Sequence, residues 1–245
     1  MVRFRLLGVP VGVHWSFGFV AVLGLGVYEG WELAAWTAAV FVAVMLHESG
    51  HAFVARALGA QVEGITLFAL GGLTTWRAVR PISPGRRFVI AAAGSAVGIA
   101  AGLAVLGLGR LGFLDGVPSL GFVFLQAFVW AGLGWGILNW IPVLPLDGGH
   151  MMESLLAIVA PRRAVVIAKG VSLVVGVALI ALALRYGERF LAFFLVFIVL
   201  AGLRDRSGSM SAEPDGAGEA DEPLRPAPPA PPESSRPEGP PEFPI

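Results

Sequence analysis

A chain of 245 residues that is 56% hydrophobic and only 14% charged has too little polar surface for a soluble domain, where charged residues make up about a quarter. Its formal net charge of zero offers no basic surface to nucleic acid, and its lack of cysteine excludes disulfides and thiolate metal ligands. The composition belongs to a lipid bilayer, and any bound metal must be held by His, Asp or Glu.

In chain order, the opening "MVRFRLLGVPVGVHW" lacks a small-residue cleavage pattern and reads as a lead into the first span, not as a removed signal. Six apolar stretches are long enough, or nearly so, to cross a hydrocarbon core that takes about 20 helical residues. They run roughly over 13–29, 31–58, 86–108, 119–141, 164–184 and 188–203, the last being short. Between the second and third lies "QVEGITLFALGGLTTWRAV", rich in β-formers and broken by Gly71-Gly72. It suits either a hairpin dipping into the membrane edge or an ordinary connecting loop; a hairpin at that depth must pack on protein or line a wet cavity. Past about residue 204 the chain turns proline-rich and polar, with too few apolar residues to offset the entropy of ordering, and reads as a disordered cytoplasmic tail.

Arginine and lysine placement sets the orientation. Arg3 and Arg5 precede the first span, Arg56, Arg77, Arg80, Arg86 and Arg87 lie between the second and third, Arg162, Arg163 and Lys169 follow the fourth, and Arg204 and Arg206 follow the sixth. The alternate loops "EGWE", "RLGFLDGVPS" and "RYGER" are poorer in net positive charge, so both termini are expected in the cytoplasm. The expected fold is therefore an all-α polytopic membrane protein with about six transmembrane helices and a small membrane re-entrant β-hairpin, residues 1–203, followed by the tail 204–245.

The second span carries "AVMLHESGHAF". His47 and His51 are four residues apart, so a helix projects both imidazoles from one face, one turn apart, with Glu48 beside the first. This is the H-E-x-x-H pattern, in which two imidazoles bind zinc and the glutamate acts on water. An ionisable residue in mid-membrane costs roughly 2.5–3.5 kcal/mol, so three of them need a partner. A bound cation is such a partner; a hydrogen-bonded polar cluster at the cytoplasmic end of the span is the alternative. Two histidines leave a tetrahedral zinc short of a protein ligand and an open position. The other polar concentration is "NWIPVLPLDGGHMMESL", where Pro142 and Pro145 stop the helix and Asp147 precedes Gly148-Gly149. Asp147 suits two roles, a third ligand or the N-cap of the following helix.

The pair "HESGH" and "NWIPVLPLDGG" resembles the site-2 protease family of intramembrane zinc metalloproteases, which joins H-E-x-x-H with N-x-x-P-x-x-x-x-D-G; Asn139, Pro142, Asp147 and Gly148 match each fixed position. The opening "GVPVGVHWS" and the span count resemble its bacterial sporulation-type branch, without a PDZ-like insertion or a folded C-terminal regulatory domain. The resemblance, covering residues 8 to about 203, implies one zinc on His47, His51 and Asp147, Glu48 as general base, and Asn139 near the site, positioning substrate or stabilising developing negative charge. It implies transmembrane protein substrates, met within the lipid bilayer. The third span departs from the family's G-P-x-x-N by reading Gly94-Ser95-Ala96-Val97-Gly98, which puts a polar role for that span in doubt. Gly94, Gly98 and Gly102 instead place small residues every fourth position, suited to close helix packing.

Other readings of the zinc motif are a non-cleaving membrane scaffold or chaperone and a metal transporter. An intact Glu48 argues against the first, and the convergence of polar groups on one place argues against the second. His14 is expected at the membrane interface; His150 is either a hydrogen-bond partner of the site or an exposed first-turn residue.

Overall fold

The computed structural model describes residues 1–69 and 71–204, so the proline-rich segment expected to be disordered lies outside the described residues. Two short strands, β1 (Val2–Leu6) and β2 (Val9–Val13), open the chain, followed by a 3-10 turn (Trp15–Gly18) and the six-residue α1 (Phe19–Gly24). The long helix α2 (Gly30–Ala57) leads into β3 (Ala60–Phe68) and β4 (Gly71–Ala78), then α3 (Pro84–Arg110). Next come α4 (Ser119–Trp130), a π turn (Ala131–Trp135) and α5 (Gly136–Leu138), continuous as one 20-residue apolar helix. After the proline-bearing loop stand α6 (Asp147–Val159), α7 (Ala164–Arg185) and α8 (Arg189–Arg204).

Among the described residues, four helices are long and apolar enough to cross a membrane: Gly30–Ala57, Pro84–Arg110, Ser119–Leu138 and Ala164–Arg185. Their boundaries fall within a few residues of the second to fifth spans read from the sequence. The first expected span is represented by the shorter apolar stretch Trp15–Gly24, and the last by the 16 residues of α8. The protein is thus a multi-pass membrane protein. Its outward faces carry Leu103, Phe122, Trp130, Ile137, Val166, Val174 and Leu184, all exposed, as lipid-facing positions are. α2 is the central helix: its most apolar window is 61% buried, against 17% for α7.

The expectation of an all-α chain with one hairpin is too narrow. β1 to β4 form a single four-stranded sheet in that order, β1 antiparallel to β2, β2 parallel to β3, and β3 antiparallel to β4. The segment between the second and third spans is therefore a hairpin and not a loop, and the N-terminal residues read as a lead-in are half of the sheet. Val11 pairs with Ile65 and Val13 with Leu67, and Val9, Val11, Ile65 and Leu67 bury their side chains beside Ala43, Val44 and Ala52 of α2. β1 and β4 are the two edge strands of the sheet.

α2, α3 and the α4–α5 segment approach closely because glycine lines the contacts. A Cβ on Gly50 would stand 2.8 Å from the Ala93 carbonyl oxygen, and one on Gly132 would stand 2.8 Å from that of Gly98. Gly102 packs in the same way on Leu133, so the small-residue stripe of the third span does seat a neighbouring helix.

Candidate metal centre

The imidazoles of α2 lie buried against α3 and the start of α6, and the Glu48 carboxylate lies buried against β4. His47, Glu48 and His51 are each less than a tenth exposed, in a helix whose other buried residues are mostly apolar or small. His51 Nδ1 lies 2.8 Å from the Ile90 carbonyl oxygen on α3. A carbonyl only accepts, so Nδ1 carries the proton and Nε2 presents its lone pair to the interior. The two Nε2 atoms of His47 and His51 are 3.1 Å apart.

Asp147 reaches the same point from the far part of the chain. Pro142 and Pro145 deny the loop a helical course, and Asn139 O accepts a hydrogen bond from Gly148 N at 2.5 Å, folding the loop back on the start of α6. That fold requires Gly148 and Gly149, where a Cβ would strike the backbone of Trp140–Ile141 and of Val143–Leu144 respectively. Ser172 of α7 accepts the Leu144 N–H at 2.8 Å, and Val143 packs on Ile198 and Val199 of α8, fixing the loop from behind. α6 begins at Asp147 itself, and no side-chain hydrogen bond caps it. Asp147 Oδ2 lies 3.3 Å from His47 Nε2 and its Oδ1 3.3 Å from His51 Nε2. The capping alternative for Asp147 is thereby set aside.

These three separations test whether a metal fits. Donor atoms about 2.0–2.1 Å from a tetrahedral zinc stand about 3.3 Å from one another. The observed 3.1 Å between the two nitrogens, and 3.3 Å from each nitrogen to one or the other carboxylate oxygen, are close to that figure. The chemistry of the donors agrees: an imidazole lone pair and a carboxylate crowded together repel unless a cation sits among them. Two imidazoles and a carboxylate, each offering one ligand atom within 4.8 Å of the others, could hold a metal ion and are donors that zinc accepts.

The remaining sequence-derived residues also gather here. Asn139 is buried, its amide nitrogen 3.4 Å from His47 Nε2. Glu48 turns its carboxylate toward the sheet, where Thr74 of β4 donates to Oε2 at 2.7 Å and lies 3.0 Å from the Glu48 carbonyl. Gly72, two residues earlier on β4, abuts the same carboxylate, and a Cβ there would overlap it. Gly71 begins the strand at φ +129°, a conformation that side chains rarely adopt.

Three contacts escaped the sequence reading: Thr74 on Glu48, Ile90 on His51, and Ser95, whose hydroxyl donates to Asp147 Oδ2 at 2.8 Å. The last corrects the doubt about a polar role for the third span. A serine standing where the family pattern has proline was the available signal. His14 Nδ1 accepts from Ser16 at the start of the 3-10 turn, and His150 pairs at 4.0 Å with Glu153, one turn along α6.

A fold of membrane-length helices that buries an H-E-x-x-H pair against an aspartate from a distant part of the chain defines a class, that of integral-membrane proteins with a His, His, Asp cluster able to hold a metal. The family model of peptidase family M50 matches residues 35–118 and 119–183, and the chain belongs to that family. The fold is that of the site-2 protease of Methanocaldococcus jannaschii, with a TM-score of 0.62 and 24% identity over 82% of this chain and 93% of that one. A zinc metalloprotease of the same organism is 30% identical over 63% of this chain and 44% of its own length. A Synechocystis protein provisionally named a zinc metalloprotease is 36% identical over 51% of this chain and 32% of its own. A protein of Mycobacterium tuberculosis provisionally named zinc metalloprotease Rip3 is 34% identical over 62% and 42%. The chain thus spans between about a third and under a half of the length of these curated relatives.

Proposed function

We propose that the chain is an intramembrane zinc metalloprotease that hydrolyses peptide bonds in or near transmembrane segments of membrane proteins. One observation carries this reading: the Nε2 atoms of His47 and His51 on α2 stand 3.1 Å apart, each 3.3 Å from one oxygen of the Asp147 carboxylate at the start of α6, with Glu48 next to His47 in sequence. His47, His51 and Asp147 would hold one zinc ion, which when bound supplies Lewis acidity, polarising a carbonyl and acidifying water.

The chain's own groups account for the rest. Glu48 takes the proton of the attacking water and delivers it to the departing amine. Thr74 and Gly72 hold its carboxylate from the β4 side. Asn139, whose amide points toward the ligand cluster, donates to the oxyanion that develops on the scissile carbonyl. A substrate helix must unwind before its carbonyls can be attacked, and the edge strand β4 accepts the unwound segment by strand addition. The hairpin then re-enters the membrane beside the site, packed on α2 and lining the water path from the cytoplasm.

This reading takes residues 1–203 as the protease domain, with Trp15–Gly24 and α8 as the first and sixth spans and the remainder as a cytoplasmic tail. Both termini face the cytoplasm of a cell membrane, in keeping with the arginines at both ends and around the hairpin. Glu48→Gln tests the proposal: the variant should retain zinc and lose cleavage of a co-expressed membrane substrate, with membrane-tethered precursors accumulating. Cleavage at the wild-type rate would remove Glu48 from the mechanism. Loss of zinc from His47→Ala without loss of cleavage would remove the metal from it.

A further inference from the structure

α3 contributes no ligand to the metal centre, yet it touches two of the three ligands at successive positions. The Ile90 carbonyl accepts the His51 Nδ1 proton at 2.8 Å. One turn on, Gly94 lies against the His51 ring so closely that a Cβ would overlap it. The next residue, Ser95, is 0% exposed and donates its hydroxyl to Asp147 Oδ2 at 2.8 Å.

An apolar helix gives a serine or threonine hydroxyl a default partner, the carbonyl four residues back. Thr37 and Ser49 take it, donating to Leu33 O and Met45 O at 2.7 Å each. Ser95 instead donates across 52 residues to the carboxylate. The Asp147 carboxylate faces two imidazoles, one through each oxygen, so its rotation about the Cβ–Cγ bond decides whether both are met at once. A third contact on Oδ2 sets that rotation.

We propose that Ser95 is a positioning residue of the metal centre, holding the Asp147 carboxylate in the orientation that meets the metal with both histidines, so that α3 clamps ligands it does not supply. The inference rests on the metalloprotease reading of the site. Hydrogen-bond partners of metal ligands change metal affinity by about 10–100-fold when removed. Ser95→Ala deletes the hydroxyl, keeps the Cβ and improves helix propensity.

The test uses the full chain purified in detergent, with zinc affinity measured by chelator competition and thermal unfolding followed with and without zinc. Ser95→Ala should bind zinc about 10–100-fold more weakly, with an unchanged zinc-free melting temperature. Loaded with cobalt(II), it should show a shifted d–d absorption band, because the carboxylate ligand has moved. Thr37→Ala, which deletes a hydroxyl bonded within its own helix, should match the wild type in all three. Affinity within threefold of wild type with an unshifted cobalt band would overturn the proposal. Failure of Ser95→Ala to fold, or a fall in zinc-free stability matching the loss of affinity, would make Ser95 a packing residue and overturn it too. If the wild type itself binds no zinc, it is the metalloprotease reading that falls. If the wild type binds zinc and cleaves while Ser95→Ala is unaffected, only the role of Ser95 falls.

Discussion

Two glycines stand where any larger residue would displace a chemical group, and they separate binding from catalysis. Gly72 of β4 lies against the Glu48 carboxylate, the free end of a flexible side chain. Alanine there is accommodated by moving Glu48, not the backbone. Gly72→Ala should therefore keep zinc stoichiometry and lower turnover by at least roughly tenfold, as is usual when a positioned acid–base group is displaced. Gly94 of α3 lies against the His51 ring, which the Ile90 carbonyl pins from its other nitrogen. Gly94→Ala has no such escape, and metal content measured on the purified protein should fall together with activity. A result in which both variants lose zinc equally would contradict the assignment of Glu48 to proton transfer and His51 to metal binding. Glu48 and His51 were legible as a pair from their spacing, but their glycine neighbours were not. A glycine's purpose lies in what approaches it, and both approaches are made by residues more than twenty positions away.

At the level of elements, helix contacts are set by what α2, α3 and the π turn leave out. Gly132 faces the Gly98 carbonyl backbone to backbone, so a methyl group there must push the helices apart. Overpacking of this kind costs roughly 1–3 kcal/mol. Gly132→Ala should lower the melting temperature in detergent by roughly 2 °C or more, given about 2–4 °C per kcal/mol for a chain of this size. Gly134, two residues on, has nothing within 4 Å of a built Cβ, and Gly134→Ala should leave the melting temperature unchanged or slightly raised. Equal effects of the two would mean that the stripe does not seat the helix. The periodic glycines of α3 and the boundaries of the long helices could be read from the sequence, since both are local patterns of 3.6-residue periodicity or sustained apolarity. The strands β1 and β2 could not. Their apolar residues merge with the run that follows, and the parallel pairing of β2 with β3 joins segments some fifty residues apart across an intervening helix.

For the whole molecule, a metal ion held by His47, His51 and Asp147 would bridge α2 and the start of α6, parts distant in the chain. A ligand that binds only the folded state at 100 times its dissociation constant adds about 2.7 kcal/mol of stability. Chelation should accordingly abolish cleavage and lower the melting temperature, and re-addition of zinc should restore both. His51→Ala should have the lower melting temperature already and respond to neither treatment. An identical shift in that variant would place the stabilising ion elsewhere in the molecule.

The second to fifth spans and the positions of His47, Glu48 and His51 on one of them followed from the amino-acid order alone. Apolar length is a property of a continuous stretch, and an i, i+4 pair of histidines shares a helix face wherever that helix sits. The tertiary structure decided whether Asp147 caps its own helix or turns to the histidines, and it turned the carboxylate inward because the prolines and Gly148-Gly149 fold the loop back beneath α7 and α8. It also decided that Thr74, Ile90 and Ser95 attend the site, since a hydroxyl or carbonyl acquires its role only from the neighbour that another helix or strand brings within hydrogen-bond reach.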